Sequence, residues 1–339
     1  MSSSDSVNST SAPDSSSHVL FLSQIIVSVL LATPSVLSNV ILLITIYRDP
    51  RRNQLWRTPV TLLVANLSVC DLLTGLVPGF GSLYYDVALF NSRKRETLVV
   101  EGIIINSVGI VTNIVSSCIV AAMSLDRLFA VSSPLQYRGR VTKTRLKTFL
   151  AVSWVYALLF SCLSFGLSTT VFVLLYCHLH LSVPLIVLPV VYWKSYSALR
   201  VHNNQVQNLA AHSREAMASV HRNREQKTVS AFLLVLVLFY LALMPLFIAQ
   251  NMLVLQPSYL GEENFRYFLY ASSKFVLVNC CLNPFIYAWR IPKYRQAFKA
   301  VFCGCGCRNR PRNTVANGLM MMHRPANRLR VNFDQHDNL

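Results

Sequence analysis

Seven apolar stretches constrain this chain more than any other feature of it. They run roughly 20–47, 58–85, 98–131, 144–167, 171–200, 222–255 and 264–290. Each is long enough to cross about 30 Å of hydrocarbon, which takes ~20 residues of α-helix. None alternates with a period of two, which argues against a β-barrel. The chain is 53% hydrophobic and 13% charged, more apolar than a soluble domain of 339 residues needs. The expected fold is an all-α membrane protein, a seven-transmembrane helix bundle over 19–291. A short amphipathic eighth helix and a cysteine cluster follow at 292–307, and tails at 1–18 and 308–339 read as disordered.

The basic residues give the orientation. Arg93, Lys94, Arg95 and Arg266 fall on one side, with Lys274 inside the seventh run, and every other Lys and Arg falls on the opposite side. The positive-inside rule then puts the amino terminus outside and the carboxyl tail in the cytoplasm. The net charge of +17 is thus a topology signal, and it favours anionic lipid over nucleic acid because it is spread over four segments. The Ser-rich start has no basic n-region, so no cleaved signal peptide is expected. Asn8-Ser9-Thr10 is a glycosylation sequon on the outer side. Of nine cysteines, six lie in the runs and three beyond them, so no extracellular disulfide framework is visible.

Polar groups inside hydrocarbon are costly and mark function or helix contacts. Asp126-Arg127 sits at the inner end of the third run. Stepping back from Arg127 by four and three gives Met123, Val120, Ser116, Asn113, Gly109 and Asn106, one helix face that carries the polar residues. Asp71 lies in the middle of the second run, where a carboxylate is protonated, paired or holding a cation. Asn39 bonds either its own backbone or a neighbouring helix. Asn279 and Asn283 share a face of the seventh run. Glu225, among Arg222, Arg224 and Lys227, is the nearest acidic partner for Arg127. Pro184, Pro189, Pro245 and Pro284 mark bends, whether joints or plain packing kinks. Leu135 follows Pro134 as an apolar knob on the cytoplasmic side.

After the seventh run, residues 291–302 form an amphipathic helix with Tyr294, Phe298 and Phe302 on one side and basic residues on the other, suited to a membrane surface. Cys303, Cys305 and Cys307 follow where palmitoylation would anchor it. Their spacing is poor for zinc.

Together these residues resemble the rhodopsin-like (class A) G-protein-coupled receptors over about 20–307. The resemblance rests on Asn39, Leu67 to Asp71, Asp126-Arg127-Leu128, Trp154, Pro184 with Tyr192, Pro245, and Asn283-Pro284-Phe285-Ile286-Tyr287 in that order. It implies a plasma-membrane receptor that passes an extracellular signal to heterotrimeric G proteins, with arrestin and a receptor kinase as further partners. Arg127 is then held by Asp126 and Glu225 until released, and Tyr192 and Tyr287 swing inward to stabilise the open form. Asp71, Ser116, Asn279 and Asn283 would hold an allosteric sodium ion, and no other cofactor is implied.

Three departures from the family pattern stand out. Gly102 occupies the usual disulfide cysteine position, with Ser168-Thr169-Thr170 as nearly the whole second outer loop. Leu243 replaces the aromatic toggle two residues before Pro245, and Gly109 replaces the amine-binding acid. The short loop resembles the melanocortin, cannabinoid and lysolipid branch, whereas residues 283–298 look most like adenosine receptors. Gly81, Gly102 and Asn106 lack the acids that bind basic peptides, and Gln250 stands where adenosine receptors have Asn. The ligand class stays open among small molecules, nucleosides, lipids and peptides. The expected pocket is lined by Asn106, Gly109, Asn113, Phe247, Gln250, Asn251, Ser273 and Lys274. An opsin is disfavoured because Leu277 replaces the retinal lysine. A channel or transporter is disfavoured by the absence of an inverted repeat. No nucleophile–base constellation or phosphate loop points to an enzyme.

Overall fold

A computed structural model of the chain describes residues 15–49, 58–91, 93–132, 141–182 and 215–302, with Tyr137, Gly139 and a few positions between 186 and 197. The first span is α1 (Ser15–Arg48). The second is built from α2 (Pro59–Thr74), a π-helical turn at Gly75–Gly79 and α3 (Phe80–Phe90). Pro59 opens α2 at a position where its missing N–H costs nothing. Pro78 removes a backbone donor inside the π turn, which accounts for the wider local geometry.

The third span, α4 (Val99–Ser132), follows a 3₁₀ turn at Arg95–Leu98. The fourth, α5 (Lys143–Cys162), starts where Thr142 Oγ1 accepts a bond from the Arg145 N–H. Ser168 caps α6 (Thr169–Cys177) in the same way, accepting from the Val171 N–H. The connection between these helices is a 3₁₀ turn at Leu163–Phe165 followed by Gly166-Leu167-Ser168, displaced toward α5 from the expected Ser168-Thr169-Thr170. A second π turn, His178–Ser182, continues the fifth span. The sixth span is α7 (Glu215–Leu255), which extends beyond its apolar run as the polar stretch before it implies. The seventh is α8 (Glu263–Arg290). Ile291 turns extended ahead of Pro292, as a residue before proline prefers, and α9 (Pro292–Phe302) sets off as the eighth helix.

Among the described residues there is no strand. Among the described residues, five helices are long and apolar enough to cross a membrane by length and composition. The seventh span is less apolar because it carries Ser272, Lys274, Asn279 and Asn283. The continuous described part of the fifth is Thr169–Ser182. Helix α4 packs on α2 and α5, α1 on α2 and α8, and α7 on α6 and α8. Ile114, Val115 and Ile119 of α4 are wholly buried, which makes the third span the central one. Ile26, Leu30, Leu158 and Leu159 stay exposed, as a face against lipid requires. Between apolar helices in lipid, close packing replaces the hydrophobic drive. A Cβ on Gly75 would come within 2.9 Å of Val36 Cγ2, and one on Gly79 within 2.9 Å of Ala32 Cβ. These two glycines allow the first and second spans to approach.

Candidate functional site

The bundle centre is a chain of polar side chains around Asp71, which is 1% exposed. Asn283 Nδ2 donates to Asp71 Oδ2 at 2.9 Å. Asn39 Nδ2 donates to the Ser35 carbonyl at 2.9 Å and to the Cys280 carbonyl at 3.0 Å, so it bonds its own helix and the seventh span at once. Asp71, Ser116 and Asn279 line one small cavity with Thr74, Asn113 and Leu243. About 10 Å³ of it is open to the centre of a water-sized sphere, room for about one water or small ion. The side-chain oxygens of Asn279 and Asn283 have no hydrogen-bond partner among the described residues. A carboxylate with two unsatisfied amide oxygens is the donor set a hard cation takes.

At the carboxyl end of α4, Arg127 Nε donates to Asp126 Oδ2 at 2.9 Å and Nη2 reaches the same oxygen. Tyr137 donates from its hydroxyl to the other oxygen, Asp126 Oδ1, at 2.7 Å. Burial, then the charge of Asp126, pushes the Tyr137 phenol well above its ordinary value. Tyr137 is a holder that the sequence motif did not reveal, because it lies beyond Pro134. Nearby, Lys293 Nζ donates to Thr58 Oγ1 and the Tyr294 hydroxyl lies 3.3 Å from Thr61 Oγ1, tying α9 to the start of α2. Burial and the Arg127 charge hold the Lys293 ammonium down to about 8. Tyr294 packs its ring against Tyr287, with centroids 6.1 Å apart. The apolar face of α9 therefore divides, since Tyr294 is buried in the bundle while Phe298 and Phe302 are exposed.

Each of the eight residues expected to line a pocket has its own surroundings among the described residues. Asn106 is exposed and lines a separate groove with Tyr85 and Gly102. Gly109 lies against Pro78 of the second span. Asn113 donates to the Tyr176 hydroxyl and borders the Asp71 cavity. Phe247 lines a second small cavity with His180 and Leu243. Gln250 keeps a buried oxygen without a partner among the described residues. Asn251 donates back to the Phe247 carbonyl, and exposed Ser273 to the Tyr270 carbonyl. Short polar side chains on helices often satisfy themselves in this way.

Lys274 is taken up by a group no motif announced. Its Nζ donates to Ser82 Oγ at 2.5 Å, lies 3.9 Å from Asp86 Oδ2 and sits 4.3 Å from the Tyr270 ring centre. Tyr270 in turn donates to Asp86. Asp86 escaped notice because the second run was expected to end at 85, whereas α3 continues to Phe90. His180 was missed too. It is buried in the fifth span, 2.9 Å from the Tyr156 hydroxyl and edge-on to Phe160. An ionisable residue inside an apolar run was the signal for His180.

Asn8, Leu135, Pro184, Tyr192, Cys303, Cys305 and Cys307 lie outside the described residues, as do the tails 1–14 and 303–339. Glu225 lies within α7, with its side chain outside the description.

A family model described as 7 transmembrane receptor (rhodopsin family) matches residues 38–171 and 166–287. The helical bundle, the buried Asp71–Asn283 pair and the Asp126–Arg127 pair thus belong to a multi-pass membrane receptor. The chain is a member of the rhodopsin family of seven-transmembrane receptors.

Proposed function

We propose that this receptor carries an extracellular signal across the plasma membrane to heterotrimeric G proteins, with its amino terminus outside. The observation that carries the reading is the closed latch at the inner end of α4, where Asp126 binds Arg127 on one side and Tyr137 on the other. A buried charge held by two neighbours is a two-state element, and a partner that prefers Arg127 released shifts it. Leu135, Tyr192, Glu225, Pro284 and Tyr287 complete the proposed coupling machinery, with Asn283 joining it to Asp71. Sodium at Asp71, Ser116, Asn279 and Asn283 would favour the closed form. Arrestin and a receptor kinase are the further partners proposed, with glycosylation at Asn8 and palmitoylation at Cys303, Cys305 and Cys307. The melanocortin, adenosine, cannabinoid and lysolipid cluster is proposed as its nearest branch, with the ligand class open among small molecules, nucleosides, lipids and peptides.

Basal activity tests this without a known ligand. Asp126→Asn is expected to raise basal nucleotide exchange on purified G protein several-fold, and Arg127→Ala to abolish it. If Asp126→Asn left exchange at the unmodified level across all G-protein classes, the latch reading would be wrong.

A further inference from the structure

The turn between the fourth and fifth spans belongs to neither the central cavity nor the latch. Between Lys147 and Lys194 the sequence contains no Asp, Glu, Lys or Arg, so both spans and their turn form one uncharged hairpin. The other two connections at the same end of the bundle are charged. One carries Arg93, Lys94, Arg95 and Glu96, and the other carries Glu262 with Glu263 and Arg266 close behind it. The turn Leu163–Leu167 is apolar instead, with Phe165 69% exposed, Leu163 43% and Leu167 36%. Contiguous exposed apolar groups of this kind mark an interaction surface.

A turn can leave water only if its polar groups are satisfied within it. The Leu163 carbonyl accepts from the Gly166 N–H at 3.2 Å and from the Leu167 N–H at 3.0 Å. Ser164 Oγ donates back to the Ser161 carbonyl at 2.7 Å. The Ser168 carbonyl accepts from the Phe172 N–H at 2.9 Å, and Ser168 Oγ accepts from the Val171 N–H at 3.4 Å. All of these bonds are local, and they leave the turn little need of water.

Length then sets the depth. From Lys147, the last charge of the fourth span, to Phe165 is about 27 Å along a helix at 1.5 Å per residue. The hydrocarbon core is about 30 Å thick, and about 40–45 Å with both headgroup layers. With Lys147 at one headgroup layer, Phe165 reaches the opposite acyl–headgroup boundary and not the water beyond it. Leu158 and Leu159 of α5 and Val171 of α6 are exposed as well, so the turn continues a face that already meets lipid.

We propose that the turn Leu163–Leu167 is seated in the acyl–headgroup boundary of the bilayer, with phospholipid as the partner of Leu163, Phe165 and Leu167. A lid folded over the mouth of the bundle would bury Phe165 against the spans, whereas its ring is largely open. A charged partner finds no opposite charge on the turn. The described cysteines are all free, and Gly102 stands at the usual disulfide position. Lipid, in place of a covalent tie to the third span, then holds this connection. The proposal goes beyond the signalling reading, and its test involves no G protein and no agonist.

The test uses the full-length receptor, one copy per phosphatidylcholine nanodisc, with the photoreactive residue p-benzoylphenylalanine incorporated at position 165. Its ring replaces one that is already exposed, so the substitution meets open space. On irradiation the benzophenone inserts into a neighbouring C–H bond, and peptide mass spectrometry identifies the neighbour. Phospholipid adducts are expected to dominate, and ester hydrolysis should leave an acyl chain on the peptide. The same residue at exposed Leu159 should give a similar yield, and at exposed Glu96 one at least fivefold lower. Adducts to the receptor's own spans would show an inward lid and overturn the proposal. A yield at 165 no higher than at 96 would place the turn in water and overturn it too. In cell membranes, a predominant adduct to a second protein would overturn lipid as the partner.

Discussion

Lys293 concentrates much of the physics of the cytoplasmic face in one side chain. Burial and the neighbouring Arg127 hold its ammonium down to about 8, with Asp126 pulling the other way. Its folded value lies below the unfolded one, so between about 8 and 10 the unfolded chain binds more protons than the native receptor. Stability therefore rises with pH across that window. Tyr294, pushed up to about 12 by burial, works in the opposite direction only above pH 10. The thermal midpoint of the solubilised receptor should climb more steeply from pH 7.5 to 9.5 than that of Lys293→Met. Equal slopes in both proteins would show that Lys293 is solvated.

The same scale explains what single residues disclosed beforehand. Asp71, Asn39, Asp126 and Arg127 were legible because a polar group in an apolar run has few uses. Asp86 and Tyr137 were not, because each stands just past an expected boundary and its partner comes from elsewhere in the chain. For the expected pocket residues the helix-face argument reaches only part of the way. A helix face fixes where a side chain starts and says nothing of whether a neighbour such as Asp86 has already taken it.

At the scale of elements, Leu243 shows how a departure from the family pattern is accommodated. It is 4% exposed and, with Phe239, forms a wall common to the Asp71 cavity and the His180 cavity. Each cavity has about 10 Å³ open to the centre of a water-sized sphere. An indole does not fit such gaps without displacing α6 or α7. Leu243→Trp is expected to overpack the bundle and cost about 1–3 kcal/mol, read as a lower thermal midpoint in detergent. An unchanged or higher midpoint would mean that the two cavities merge and yield easily. The helices themselves were the most legible part of the chain, since length and apolarity set them. The two π turns were not, because a one-residue widening leaves no mark on hydropathy. Pro78 was the only hint of the first, and it reads as an ordinary kink.

For the whole molecule, topology carries most of what a cell would notice. In the orientation proposed from the basic residues, the proposed latch and α9 lie at the cytoplasmic end of the bundle. The opposite orientation would leave the proposed coupling machinery outside the cell. An epitope tag before residue 1 should be stained on intact cells and a carboxyl-terminal tag only after permeabilisation. Removal of N-linked glycan should shift the electrophoretic mass of the receptor and leave Asn8→Gln unshifted. Staining of the carboxyl-terminal tag on intact cells would reverse the topology and with it the coupling proposal.

The π turn at Gly75–Gly79 divides the second span into two halves that keep different angular registers. A wide turn takes up about one residue more than an α-helical one, a rotation of roughly 100°. Counting by 3.6 from Asp71 therefore gives the wrong azimuth for everything beyond Gly79, Tyr85 and Asp86 included. The inner half answers to Asn283 and the outer half to Lys274, and the turn is the vernier that lets one helix satisfy both.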